Sequence, residues 1–304
     1  MNLLKKRETP VQNIAYIAIM AAINVIFVLI SNLLPILFVL LVFILPLTTV
    51  IVTIYCKKIY IPIYMIATIG LCFITSFGMH IFDTLIYVIP SLITGFLFGI
   101  AVEKHIPILY TLLVVTVVQF GLSYLTFYII GIITNNVAFF DSIYKLVGLG
   151  EYSFKEVLTN ILLLIVSETQ ILITYLIVKY EVERIGLEIN LEVKNRFVLY
   201  LVSIALLVVG LISYFYFPNW TLTLLLLAAP IVVYEGVSLL GQKRVSIYIS
   251  LGSSFLAFCF LFAFLYEYLL APNHLFLIST FFVAITIIDF IFNYCLKPKA
   301  EKIK

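Results

Sequence analysis

From Leu199 to Phe217 the chain carries no charged side chain, and the run is apolar on every side rather than in alternation. That segment alone narrows the fold. A soluble helix keeps a polar face for water, whereas a helix apolar all round lies in a large core or in lipid. A transmembrane barrel would show segments of about ten residues in strict alternation. Runs of this kind read instead as helices, which satisfy their own backbone hydrogen bonds in a solvent that offers none. About 20 residues cover roughly 30 Å of hydrocarbon.

The pattern recurs along the chain. Of 304 residues, 64% are hydrophobic and 11% charged, against about 25% charged in soluble proteins. A soluble domain could not cover this much apolar surface with polar side chains, and disordered chains have low hydrophobicity. A net charge of +3, with no long basic face, gives nucleic-acid binding no support. The expected fold is an all-α, polytopic transmembrane helical bundle of about ten spans. These lie near residues 12–31, 35–55, 59–77, 84–102, 106–132, 156–178, 197–217, 221–240, 245–268 and 275–296. Pro46, Pro62, Pro90 and Pro230 fall inside these ranges and should kink their helices unless the boundaries shift.

Basic residues set the orientation. With the N-terminus in the cytoplasm and the spans alternating, all of the 18 Lys and Arg residues except Lys145 and Lys155 fall inside. Both termini are then cytoplasmic. Lys5, Lys6 and Arg7 precede an apolar run as long as a span and without a small-x-small exit, so it is expected to be a retained first helix. The densest charge cluster, residues 179–196, divides the chain into a six-span domain (1–180), a charged cytoplasmic linker (181–196) and a four-span domain (197–304). The linker reads as a solvated connection or as a docking surface for a partner, which would make the protein a membrane scaffold. The external segment 133–155 places Phe139, Phe140, Ile143, Tyr144 and Val147 at helix-like spacing, suiting an interfacial helix or a lid.

Polar residues inside spans are costly and usually face the bundle interior. Glu168 lies among Ser167, Thr169 and Gln170, about 16 Å from Lys179 at 1.5 Å per residue. Gln119, with Ser123 one turn on, lies at similar depth. The two helices are expected to meet through Gln119 and Glu168, either as a packing contact or in solute or proton handling. Asn24 reads as packing glue. Glu235 and Asp289 lie two turns before Lys243 and Lys297, and are expected to be partly hydrated or paired with basic residues. At the outer end, His80, Asp83, Thr84 and Tyr87 form a second polar group, with too few ligands for a metal. Cys56, Cys72, Cys259 and Cys295 form no CxxC and read as reduced thiols. No GxSxG, HExxH, P-loop or nucleotide fingerprint is present, so neither enzymatic activity nor a cofactor is expected.

The first helix, NIAYIAIMAAINVIFVLISNLLP, carries Ala15, Ala18, Ala21 and Ala22, a small-residue stripe that lets another helix approach closely. This start resembles the first helix of the S components of energy-coupling factor transporters, six-helix proteins that capture vitamins or metals from outside. The resemblance covers residues 12–178. The whole length is similar to the YybS-like bacterial membrane proteins. The resemblance implies a bacterial plasma-membrane protein that binds or translocates a small solute. Ala15, Ala18 and Ala22 would dock a transmembrane coupling subunit that recruits ATPase subunits. Its solute pocket would draw on His80, Asp83, Tyr87, Gln119, Tyr144 and Glu168.

Overall fold

The computed structural model describes residues 6–34, 38–76, 87–133, 155–184, 186, 196–241, 245–265 and 277–295. All regular structure among them is helical: α1 Pro10–Leu33, α2 Phe38–Tyr55, α3 Tyr60–Thr75, α4 Ile89–Glu103, α5 Ile108–Ile133, α6 Lys155–Arg184, α7 Arg196–Tyr216, α8 Pro218–Leu226, α9 Ala229–Gly241, α10 Val245–Leu265 and α11 Leu277–Phe290. A π-helical turn, Ile291–Cys295, follows α11.

Among the described residues, five segments are long and apolar enough to cross a membrane: Pro10–Leu33, Ile108–Thr126, Thr159–Arg184, Arg196–Tyr216 and Asn219–Leu240. Shorter apolar helices cover Ile44–Tyr55, Tyr60–Thr75, Ile89–Glu103, Val245–Leu261 and Ser279–Asn293. The chain is a helical membrane protein.

The prolines behave according to position. Pro62 and Pro90 fall in the first turns of α3 and α4, where no intrahelical N–H bond is lost. Pro46 lies inside α2, which continues through it. Pro230 lacks the N–H that would bond the carbonyl four residues earlier, and within the candidate span Asn219–Leu240 the helix is interrupted at Leu227 and Ala228, between α8 and α9.

The chain forms two compact units. The first comprises residues 1–148 and 163–192, the second residues 149–162 and 193–304. In the first unit α1 packs on α2 and α3, α2 on α4, and α4 on α5. Thr9 caps α1, its Oγ1 accepting from the Gln12 N–H at 3.3 Å. One face of α1 is buried: Asn13, Ile17, Ala21, Asn24, Val28 and Ser31, at the three- and four-residue spacing of one helix side. Ile17, Ala21 and Val28 share a core with Leu45, Val52, Tyr64, Cys72 and Leu92. A second core joins Val50, Phe98 and Val102 to Val115 of α5 and to Ile171, Val178 and Val182 of α6. A close helix approach lies between α2 and α4, where Gly95 sits against the backbone of Pro46 and Gly99 against Thr53.

One end of this unit is tied by the residues before α1. The Arg7 N–H donates to the Tyr55 carbonyl at 3.0 Å, and the Lys57 N–H donates to Asn13 Oδ1 at 3.0 Å. The Arg7 guanidinium lies 3.3 Å from the Tyr16 ring centroid, a cation–π contact. Lys6 and Lys58 both pair with Glu103 at the end of α4. The basic residues of the N-terminal segment, the α2–α3 turn and the end of α4 thus share one end of the bundle. At the other end Asn32 Nδ2 donates to Ser76 Oγ at 3.4 Å, joining the C-terminal ends of α1 and α3.

In the second unit α7 packs on α8 and α11, while α9 and α10 pack on α11. The buried face of α7 is Leu199, Tyr200, Ser203, Leu207, Gly210 and Ser213. Leu207 joins Leu225, Ala228 and Val232 in the core.

Candidate functional site

Each unit buries a set of polar side chains, and the two sets differ in chemistry. In the first unit Asn24 of α1 lies at the junction of three helices. Its Nδ2 donates to Tyr64 OH of α3 at 2.7 Å, and its Oδ1 accepts from Thr48 Oγ1 of α2 at 2.8 Å. Thr48 and Tyr64 hydroxyls lie 3.1 Å apart, closing the triangle. Thr48 and Thr49 also lie within hydrogen-bonding distance of the Leu45 carbonyl, next to Pro46. Asn24, Thr49 and Tyr64 are wholly buried. Each amide and hydroxyl group meets a neutral partner, so the cluster locks α1, α2 and α3 in register.

A second neutral chain crosses α4, α5 and α6. Thr94 Oγ1 donates to Gln119 Oε1 at 2.9 Å, and Gln119 Nε2 donates to Gln170 Oε1 at 3.2 Å. The fifth and sixth helices therefore meet through Gln119 and Gln170. Glu168 is half-buried on the same helix, with its Oε1 shielded from solvent and without a hydrogen-bond partner. Thr169 is exposed and bonds back to the Ile165 carbonyl at 2.8 Å. Toward the Glu103 end, a cavity of about 10 Å³ lies among Phe98, Val102, Ile108, Thr111, Tyr175 and Val178. That is room for roughly one water.

Tyr87 precedes α4 in a short π-helical turn and is half-buried. His80, Asp83 and Tyr144 lie outside the described residues, as does the segment expected to form an interfacial helix or lid. Ala15, Ala18 and Ala22 are exposed, while Ala21 is buried in the core.

The second unit buries ionisable groups. Glu235 of α9 is 0% exposed and Asp289 of α11 is 1% exposed. Both point into the helix bundle, so the hydrated half of the expectation does not hold; Lys243 and Lys297, the basic residues of its other half, lie outside the described residues. Glu235 Oε2 accepts from Thr286 Oγ1 at 2.9 Å, and Thr286 lies 3.2 Å from Ser203 Oγ of α7. Asp289 Oδ2 accepts from Tyr200 OH at 2.7 Å, and its Oδ1 accepts from Asn293 Nδ2. Glu235 Oε1 is buried without a partner. Tyr200 and Ser203 are three apart on α7, and Thr286 and Asp289 three apart on α11, so two helix faces meet rung by rung. The sequence signal was this paired spacing. It could not be read without knowing that α7 and α11 are neighbours.

Among the described residues, no three His, Cys, Asp or Glu side chains are grouped to hold a metal ion. Compared with protein-family models, curated proteins and solved structures, the chain matches none of them.

Proposed function

We propose that the chain is a non-enzymatic integral membrane protein of the bacterial plasma membrane, with ten spans and both termini in the cytoplasm. Its first six helices act in the manner of an energy-coupling factor S component, binding or translocating a small solute. The observation that carries this reading is the division of α1 into two faces. One face is filled by Asn13, Ile17, Ala21, Asn24, Val28 and Ser31, which hold it in the first unit. The other leaves Ala15, Ala18 and Ala22 exposed. Small side chains on that face allow a second helix to approach closely, and close packing is a main source of helix association in lipid. A transmembrane coupling subunit, with ATPase subunits behind it, is the proposed occupant.

The orientation draws support from the shared position of Lys6, Arg7, Lys57 and Lys58 at one end of the first unit, as the positive-inside rule asks of a cytoplasmic face. The solute site is assigned to Gln119, Glu168 and Tyr87, with His80, Asp83 and Tyr144 proposed beside them. Membrane lipids surround the bundle.

The test is purification from native membranes in mild detergent, with wild type beside Ala18→Trp. Co-purifying transmembrane and ATPase subunits, lost in the variant, and a thermal shift with a vitamin-class solute are expected. Absence of both would overturn the reading. Unchanged solute binding in Glu168→Gln would reduce Glu168 to a packing residue.

The scaffold reading places its partner on residues 179–196. Within α6 this segment begins as a helical extension whose charges pair internally, Lys179 with Glu183 at 3.8 Å and Arg184 with Glu181 at 3.7 Å. Such pairing suits a solvated extension, so the transport reading is preferred.

A further inference from the structure

We propose that Glu235 is a proton-binding site within the membrane-embedded part of the second unit, held by a layer of neutral donors from α7 and α11. This inference stands apart from the docking reading of α1 and would survive its failure.

Glu235 lies within the candidate span Asn219–Leu240, five residues before its end, which is about 8 Å at 1.5 Å per residue. Its side chain is wholly buried. An ionised carboxylate in such surroundings needs a cation or several donors. Among the described residues Glu235 has one donor, Thr286 Oγ1, on Oε2. No described Lys or Arg pairs with it, and Oε1 has no partner. The carboxyl group is therefore built to be neutral, and neutrality here means carrying a proton.

The neighbouring acid is buried as well but better supplied with donors. Both oxygens of Asp289 accept hydrogen bonds, one from Tyr200 and one from Asn293. A charge on Asp289 is therefore better met by donors than one on Glu235, and such a charge would disfavour a second on Glu235. The other ionisable groups facing this layer are few. Tyr200 is engaged with Asp289, and Tyr248 of α10 donates to the Leu240 carbonyl instead. At the adjoining contact α10 presents Ile247 and Leu251.

The same geometry argues for a proton over a metal cation. A hard cation draws on about six or more oxygen ligands. Here one Glu235 oxygen and both Asp289 oxygens already accept from protein donors, and Glu235 Oε1 is the oxygen of the two groups without one. That is enough for a proton. The Thr286 hydroxyl on α11 bonds Glu235 directly and the Ser203 hydroxyl on α7 lies next in line, so the carboxyl group of α9 joins a hydrogen-bonded series across three helices.

The experiment uses N,N′-dicyclohexylcarbodiimide, which adds to protonated carboxyl groups in apolar surroundings, on the full-length protein in proteoliposomes. Adducts are located by peptide mass spectrometry across pH 6 to 9, in sodium and in choline media. The expected result is an adduct on Glu235 that declines about tenfold per pH unit above its midpoint, is the same in both media, and vanishes in Glu235→Gln. Failure of Glu235 to react at any pH would overturn the proposal. So would protection by sodium at fixed pH, which would assign the site to a metal cation. The wild-type pH and sodium series decides the matter even if the variant does not fold.

Discussion

Gly95→Ala should destabilise the first unit more than any other glycine-to-alanine change in the described helices. A Cβ built at Gly95 would stand 2.8 Å from the Pro46 Cα and 2.8 Å from Thr49 Cβ, and closer still to the Pro46 carbonyl oxygen. Two of those three atoms are backbone, so no rotamer change relieves the clash and α2 must move away from α4. Overpacking of this kind costs about 1–3 kcal/mol, and a backbone obstacle puts Gly95 at the top of that range. Alanine returns about 1 kcal/mol through its higher helix propensity. The net loss is about 2 kcal/mol. In a unit of this size it corresponds to roughly 4–8 °C in Tm. At Gly210 the same Cβ would meet chiefly the tip of the Leu225 side chain at 2.6 Å, which can turn away, so the loss should be smaller. At Gly121 and Gly252 nothing lies within 4 Å, and alanine should be neutral or stabilising. Detergent-solubilised protein, heated and assayed by size-exclusion chromatography, gives the four values directly. If Gly95→Ala melts with or above wild type, or below neither Gly210→Ala nor Gly121→Ala, the close α2–α4 approach is not a feature of the folded protein.

Tyr64→Phe removes the hydroxyl that accepts from Asn24 and adjoins Thr48; it should cost about 1–3 kcal/mol, read as a lower melting temperature, because buried partners are left unsatisfied. Cys56 follows α2, wholly buried, and burial pushes its thiol up against the smaller opposing effect of Arg7. Its maleimide labelling should therefore lag behind that of exposed Cys295 at neutral pH and rise as the medium becomes more alkaline, followed by mass spectrometry. Lys6→Gln breaks an exposed ion pair with Glu103 and should lower stability by less than about 1 kcal/mol, with the difference shrinking in high salt.

Helix positions were readable because the apolar runs are uniform and long, and lipid permits few alternatives for such runs. Asn24 was readable as packing glue, since a lone amide in a span needs a partner on another helix. What the sequence withheld was the partner. Gln119 bonds Gln170 rather than Glu168, although the two are half a turn apart on α6, because helix rotation decides which side chain faces the neighbour. The break between α8 and α9 was signalled by Pro230. The layer around Glu235 and Asp289 was hidden more deeply. Counting residues back from Lys243 and Lys297 located both near an interface but gave no azimuth, and azimuth separates a hydrated carboxylate from one wholly buried among three helices. Tyr200, Ser203 and Thr286 are each ordinary in a span. They acquire meaning only when α7 and α11 are placed side by side.

The contrast between the two units suggests a division of labour rooted in the chemistry of their buried groups. The contacts among Asn24, Thr48 and Tyr64, and among Thr94, Gln119 and Gln170, involve side chains whose protonation does not change near neutral pH. A network of that type holds its helices at one spacing across the neutral pH range, which suits a constant frame. The layer of Tyr200, Ser203, Glu235, Thr286 and Asp289 contains two carboxyl groups that cannot both be charged cheaply in the same apolar surroundings. Gain or loss of one proton changes the charge between α7, α9 and α11 and hence the free energy of their contact. The π-helical turn Ile291–Cys295, which begins two residues after Asp289, holds the Asn293 that donates to the carboxylate. Unwinding of this kind within a helix occurs frequently at functional sites. If the chain moves a solute, the frame is the part that should stay constant, and the acidic layer of the second unit is where a change of state has a physical cause.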